Sequence, residues 1–317
     1  MGRRRKVGDS TIIRHGIKLG LPRKSKVLER QKKENQKLLA KKEVQQEKSK
    51  KKEWGLLDKP VLFKDPKYNK KILLFDIENT PLISYTWGIW EQDVIEVKEE
   101  WYILCFAYKW LGEKETHIVA LPDFKGYKNN KKDDSKLVQE LWNLFDKAEI
   151  IIAHNGDQFD IKKANARFIF HGLEPTSPYK TIDTLKVARR NFKFDSNKLD
   201  YLGQYLKIGR KLPHTGKHLW FGCMEGDEKS WSLMKRYNIQ DIILLEQVYL
   251  KLRGWNNNSS NLNLTLGTTL GCSKCGSEQI KKTNYFRTKV AVYEAWKCLN
   301  CGGWSQGDNA KFPKPLK

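Results

Sequence analysis

Long apolar runs are the first thing this chain lacks: none approaches the roughly 20 residues that a membrane-spanning helix needs. The opening MGRRRKVGDS is basic and no apolar stretch follows it, so no secretion signal is expected. The protein is accordingly read as intracellular and cytoplasmic, of a host cell if its source is viral. Cysteine is scarce too. Four of the six residues form two Cys-x2-Cys pairs, Cys272/Cys275 and Cys298/Cys301, which suits metal ligation in a reducing compartment better than a disulfide framework. Cys105 lies in an apolar segment and is expected in the core; Cys223 has no assignable role. Acidic charge is also in deficit, with 37 Asp and Glu against 60 Lys and Arg, a net charge of +23. A field of that sign points to a polyanionic partner, nucleic acid before an anionic membrane surface.

Within 317 residues, a hydrophobic content of 39% and 11 Trp leave room for a large core with one or two small appendages. The positive charge is uneven. Residues 1–53 carry 19 Lys and Arg against 6 Asp and Glu, more than half of the excess in a sixth of the chain. There VLERQKKENQKLLAKKEVQQEKSKKK has helix formers but too few spaced apolar residues for a coiled coil. It is expected as a solvated helix or a disordered arm that orders on nucleic acid. DSTIIRHGIKLGLPRKSK before it resembles the recognition helix of a helix-turn-helix without its first helix, or else is a short amphipathic helix in a basic tail.

From residue 68 the pattern turns globular. Strands are expected at 71–77, 82–90, 101–110 and 116–121 from β-branched and aromatic content, and at 149–155 from EIIIAHN. Helical spacing predicts helices over 134–148 (capped by Asp133, Asp134 or Ser135) and 159–172, then near 183–191 and 197–207, and a long one over 229–252. The stretch 209–222 is read as a basic loop. Strands followed by alternating helix and strand indicate an α/β fold, a mixed sheet with helices on both faces.

The chemistry sits at three places. KILLFDIENTP is a non-alternating apolar run ending in Asp76 and Glu78, whose i, i+2 spacing on a strand points both carboxylates to one side. EIIIAHNGDQFD delivers Asn155 and Asp160 where a strand gives way to a helix. In YNIQD, Tyr237 and Asp241 are four apart and share a helix face. Asp76, Glu78, Asp160 and Asp241 would form a strongly self-repelling cluster without metal, suited to two divalent ions roughly 4 Å apart.

Asp76-Ile-Glu78, Asn155-x3-Phe159-Asp160 and Tyr237-x3-Asp241 resemble, in order, the three motifs of the DEDD superfamily of 3′–5′ exonucleases. The Tyr is that of its tyrosine subgroup, as in proofreading domains of family-B DNA polymerases; the layout resembles ribonuclease-H-like exonucleases predicted in bacteria and phages. The resemblance covers about residues 70–253. It implies a ribonuclease-H-like fold, hydrolysis of phosphodiester bonds at 3′ ends, and two Mg²⁺ or Mn²⁺. One ion would be held by Asp76, Glu78 and Asp241, with Tyr237 orienting the attacking water. The other would be held by Asp76 and the phosphate, with Asp160 acting partly through water. Asn155 would support the turn or contact the terminal nucleotide, and Phe159 would either join the core or flank the terminal base. In GRKLPHTGKHLWFG, Arg210, Lys211, His214, Lys217 and His218 either contact substrate phosphates or form a solvated loop. Asp183 is either a further acid of the site or a helix N-cap; His154 is read as structural.

The two Cys-x2-Cys pairs, 22 residues apart and each followed by Gly, read as a four-cysteine zinc ribbon holding one structural Zn²⁺. Tyr285, Phe286, Tyr293, Trp296 and Trp304 either offer bases a stacking surface or make the ribbon's small core. The expected organisation is a basic arm at 1–67, a nuclease domain at 68–253, a linker at 254–266 and the ribbon at 267–310. The expected substrate is a single-stranded or frayed nucleic-acid end, DNA before RNA, with a protein partner in replication, repair or transcription possible. The rival expectation is a non-catalytic nucleic-acid-binding or transcription-associated regulator acting through the arm and ribbon.

Overall fold

The run Ile72–Phe75 forms the middle of a sheet covered on both faces, and every residue of it is fully buried. In chain order the strands are β1 (Ile72–Asn79), β2 (Ile83–Tyr85), β3 (Glu96–Glu99), β4 (Ile103–Trp110), β5 (His117–Ala120), β6 (Ile150–Ala153) and β7 (Lys180–Asp183). Their helices are α1 (Ser135–Lys147), α2 (Asp160–Phe170), α3 (Thr184–Asn191), α4 (Leu199–Tyr205), α5 (Lys217–Glu225) and α6 (Glu228–Leu252). The computed structural model describes residues 72–90, 93–257, 261–263 and 271–310, all within the unit Leu57–Lys317; the basic arm and its possible helix-turn-helix lie outside the described residues.

The main sheet has the order β5-β4-β1-β6-β7. β4 pairs antiparallel with both β1 and β5, while β6 pairs parallel with β1 and β7, so the sheet is mixed as expected. Alternation along β1 divides two cores. Leu73, Phe75 and Ile77 join Leu137, Leu141 and Phe145 of α1 and Phe168 of α2, with Phe75 edge-on to Phe145 at 4.8 Å. Ile72 and Leu74 join Ile182 and residues of α3, α4 and α6 on the other face. Each such burial is worth about 1.5–3 kcal/mol, and a one-residue slip would drive Asp76 into the phenylalanine core, so the register of β1 is tightly specified.

A buried ion cluster ties the first core together. Asp134, expected as a possible cap, is fully buried and instead accepts from Arg167 Nε (2.9 Å) and Nη2 (2.5 Å) and from the backbone N–H of Ile103 (2.9 Å). His171 Nε2 lies 2.7 Å from the same carboxylate. Asp133 takes over the turn, accepting from Ser135 N.

Three local expectations differ from the structure, and two short strands were not expected. Of 82–90 only Ile83–Tyr85 is strand, and it pairs with β3 in a separate two-stranded hairpin. Beyond it the Thr86 hydroxyl donates to Gly88 O (2.7 Å) and the chain bends, because the β-forming residues there meet no partner strand among the described residues. The unexpected strands are β3 and β7, each four residues long and too short to show a period. The basic loop at 209–222 is half helix: α5 begins after Gly216 (φ 62°) and ends at Gly226 (φ 89°), both in conformations that favour glycine. Finally, the expected linker is partly packed, with Leu262 buried in the second core and Gly254 so close to Cys301 O that a Cβ would lie 2.3 Å from it.

The C-terminal sheet is a meander of β8 (Ile280–Arg287), β9 (Val292–Cys298) and β10 (Trp304–Ala310), ordered β10-β9-β8. Gly276 and Gly302, one after each Cys-x2-Cys, both have φ of 71° and turn the two knuckles. Tyr285 and Trp304 are exposed, while Phe286, Tyr293 and Trp296 are half-buried.

Candidate active site

β1 carries its apolar residues up to Phe75 and then turns Asp76 and Glu78 toward the face crossed by α6. α6 starts where Asp227 accepts from Ser230 N (2.8 Å), and its buried stripe runs through Met234, Tyr237, Asn238, Asp241 and Leu245. The i, i+4 pair Tyr237/Asp241 thus meets the strand end. One carboxylate oxygen each from Asp76, Glu78 and Asp241 lie within 4.8 Å of one another. Asn238 Nδ2 donates to Asp76 Oδ2 (2.6 Å) and Trp220 Nε1 of α5 donates to Glu78 Oε2 (3.1 Å), fixing both acids. Lys211 Nζ donates to Asp241 Oδ2 (2.7 Å) and to the Tyr237 hydroxyl (3.0 Å). His214 stands edge-on between Tyr237 (4.9 Å) and Trp220 (5.2 Å).

Asp160 opens α2 and is buried, with Oδ1 accepting from Ile77 N (3.2 Å), between the two acids of β1. It stands outside the closely spaced group of three. The turn that places it is tight: Asn155 has φ 67°, and a Cβ on Gly156 would lie 2.3 Å from that of Ala153. Asp183 pins this turn, its Oδ1 accepting from Asn155 N and from Leu185 N, both at 2.9 Å, so it is the N-cap of α3. His154 bridges Thr184 Oγ1 (2.8 Å) and Asn197 O (2.9 Å), and burial pushes its imidazole down to about 4, so it stays neutral and structural. Phe159 does not join the core; it is 42% exposed, with Lys163 Nζ 5.8 Å from its ring centre. Lys217 is exposed at the first turn of α5, and Lys211 is bound inside the acid cluster instead of lying on a loop surface.

Electrostatically the cluster is frustrated. Burial, then repulsion from Asp160, Asp241 and Glu78, pushes the Asp76 carboxyl well above the usual range. Burial and Asp241 push Glu78 up to about 8; burial also raises Asp241, and raises Asp160 to about 6. Burial opposes the charge on Lys211, yet Asp241 and Asp76 together hold it protonated far into the alkaline range. Burial and Asp241 likewise raise the Tyr237 hydroxyl, which therefore remains a neutral hydrogen-bonding group. Asp241 Oδ1 is buried with no hydrogen-bond partner among the described residues. Converging, repelling carboxylates with an orphaned oxygen are the donor set of a hard, oxygen-seeking divalent cation.

A family model, RNase_H_2 of the RNase_H superfamily, matches residues 73–253, more than half of the chain and a span that includes Asp76, Glu78, Asp160, Tyr237 and Asp241. The chain belongs to the RNase H superfamily. It is also 29% identical over 137 residues, 41% of its length, to a DNA polymerase III PolC-type protein of Ureaplasma parvum serovar 3, of whose length those residues span 9%. The sheet order and flanking helices are those of an RNase H-like fold, which explains why the acids meet where β1 ends beneath α6. Among the described residues the superfamily domain carries one acidic group able to hold metal, and the tail carries a second, of different chemistry.

That second group is Cys272, Cys275, Cys298 and Cys301, with sulfurs 3.5 Å (Cys272–Cys301) and 3.7 Å (Cys275–Cys298) apart. Around an ion with bonds of about 2.3 Å, tetrahedral sulfurs stand about 3.8 Å apart, so the four fit a structural zinc. Backbone N–H groups of Lys274, Asn300 and Gly303 point at the sulfurs from 3.4 Å, as thiolates require. Among the described residues no helix is long and apolar enough to cross a membrane.

Two residues escaped the sequence reading. Asn238 could have been found as an amide inside the buried stripe of α6, where a polar group needs a partner. Trp220 lies 142 residues from Glu78 and carries no local signal.

Proposed function

We propose that the chain is a metal-dependent 3′–5′ exonuclease of the tyrosine subgroup of the DEDD superfamily, acting by a two-metal mechanism on nucleic-acid ends, DNA before RNA. The observation that carries this reading is the convergence of Asp76, Glu78 and Asp241, with Asp160 and Tyr237 beside them, from three motifs in the order of that superfamily. Asp76, Glu78 and Asp241 would hold one Mg²⁺ or Mn²⁺. Asp76, with Asp160 at longer reach, would hold a second against the scissile phosphate. Such cations supply Lewis-acid activation of water and neutralise the charge that builds on phosphate and leaving oxygen.

The chain's own groups do the positioning. Tyr237, neutral and 3.0 Å from Lys211 Nζ, holds the attacking water by its hydroxyl. Lys211 offsets part of the acids' charge and would offer its ammonium to a substrate phosphate when cations take over that charge; exposed Lys217 would add a second cation at the entry. Asn238 and Trp220 keep Asp76 and Glu78 in ligating orientation. Exposed Phe159 flanks the terminal base, and Asn155 holds the turn beside it. The four sulfurs of the tail would hold one zinc and fold the ribbon.

The test incubates end-labelled single-stranded DNA and RNA with the protein and Mg²⁺ or Mn²⁺, beside Asp76→Ala. Metal-dependent shortening by the intact protein alone supports the reading. No shortening of either polymer overturns it and favours the non-catalytic binding role; equal shortening by Asp76→Ala overturns the assignment of the reaction to this acid cluster.

A further inference from the structure

The β2–β3 hairpin stands out from its surroundings in two ways. Its turn lifts Trp87 (89% exposed) and Ile89 (87% exposed) into solvent, with Tyr85, Val94 and Ile95 also about half exposed. Trp87 and Ile89 alone offer several hundred Å² of apolar surface, the scale of the largest patch, roughly 300–600 Å², on a typical monomer. In a chain of net charge +23, the described residues between 82 and 100 also carry four acids (Asp93, Glu96, Glu99, Glu100) against the single base Lys98. Local negative charge disfavours a nucleic-acid strand on this surface despite its aromatic character. The seat it fits is apolar and rimmed with cations.

Such a seat exists on the same protein. A groove of about 830 Å³ runs between the segment after β5 and the start of α6, floored by Phe124, Tyr127 and Trp231. Its floor is rigid, since Trp231 Nε1 donates to the Tyr127 hydroxyl (2.9 Å) and the rings meet edge-on at 6.0 Å. Its rim carries Lys125, Lys128, Lys131 and Lys235. Lys235 pairs with Asp123, Lys131 donates to Glu225 O, and Glu228 also lines the groove, so four cations face two acids and the margin stays net positive. Groove and hairpin are neighbours in one protomer, because Glu99 at the end of β3 pairs with Lys132 (2.7 Å), the residue after the groove's Lys131. A patch and its complement side by side on one subunit can close a twofold dimer in which each hairpin enters the other's groove.

We propose that the protein self-associates by reciprocal insertion of the β2–β3 hairpin into this groove of a second copy. Trp87 and Ile89 anchor the contact on Phe124 and Tyr127, and the acids of the hairpin meet Lys125 and Lys128 at the rim. Burying two such hairpins and grooves reaches the roughly 1,200–2,000 Å² of a standard stable interface. Apolar anchors supply most of the affinity and the rim charges set register.

The test is sedimentation of the full, zinc-replete chain at about 50 μM, within the range where interfaces of this size associate. The intact chain is expected as a dimer, and Trp87→Ser/Ile89→Ser as a monomer with unchanged circular dichroism. Lys125→Glu/Lys128→Glu should weaken association at least tenfold, and adding Asp93→Lys/Glu96→Lys to that variant should restore it, which separates a lost contact from a lost fold. A monomeric intact chain, or a dimer indifferent to the groove reversal, overturns the proposal. So does a monomer whose Trp fluorescence is quenched by single-stranded oligonucleotide only when Trp87 is present, which would make the hairpin a base-stacking arm.

Discussion

Glu78→Gln should make the protein more stable while removing its ability to gain stability from Mg²⁺. Burial and the neighbouring Asp241 push the Glu78 carboxyl from 4.5 up to about 8. The folded state therefore binds this proton more tightly than the unfolded chain does, so stability is greatest below about pH 4.5 and falls as pH climbs toward 8. At pH 7 the interval above 4.5 corresponds to roughly 3 kcal/mol against the fold, an upper figure because the coupled acids share the proton. Gln keeps an oxygen for Trp220 Nε1 and sheds the charge. Without Mg²⁺ or Mn²⁺ at pH 7, the variant should gain about 1–3 kcal/mol, or roughly 3–10 °C in Tm. Adding Mg²⁺ should raise Tm for the intact chain and leave Glu78→Gln nearly unmoved. The assay is a thermal melt across pH 5–8 in chelator-free buffer, because a chelator would also strip the cysteine cluster. A variant that melts lower at pH 7, or that responds to Mg²⁺ like the intact chain, refutes the reasoning.

Three further outcomes are expected. Tyr237→Phe should lower kcat on the order of 10²-fold with little change in Mn²⁺ affinity, read by single-turnover kinetics and calorimetry, since only the oriented hydroxyl is lost. Cys298→Ser should lower bound zinc and unfold the tail while a probe on Trp231 reports an intact main domain; unchanged zinc content would contradict the ribbon. Asp134→Ala should cost about 3–5 kcal/mol in urea melts, because Arg167 is left buried without its bidentate carboxylate.

What could be read in advance follows from how local each signal is. Ile72–Phe75 declared a strand buried on both faces because four apolar residues in a row leave no solvent side, and the split into two cores bears this out. Asp76/Glu78 and Tyr237/Asp241 were legible because strand and helix periods alone put each pair on one side. The hairpin was not, because its residues favour strand while its fate depends on the absence of a neighbour to pair with. α5 was masked by the basic residues ahead of it, although Gly216 and Gly226 mark its ends. Lys211 looked like a surface contact in the chain and became the counter-charge of the acids only once α6 stood beside it. Asn238, Trp220 and the Asp134–Arg167 pair join residues 33 to 162 positions apart, and such contacts exist only in the assembled sheet.

The proposed reaction is end-directed and metal-dependent, carried by Asp76, Glu78 and Asp241. Its most direct measurement is a time course on one single-stranded oligonucleotide labelled in parallel at its 5′ or its 3′ end, with Mn²⁺ present and Asp241→Asn as control. The 3′ label should leave first as mononucleotide while the 5′-labelled strand shortens stepwise, and both should cease in the variant. Early release of a 5′-labelled mononucleotide, internal cuts without stepwise shortening, or undiminished activity in Asp241→Asn would contradict it.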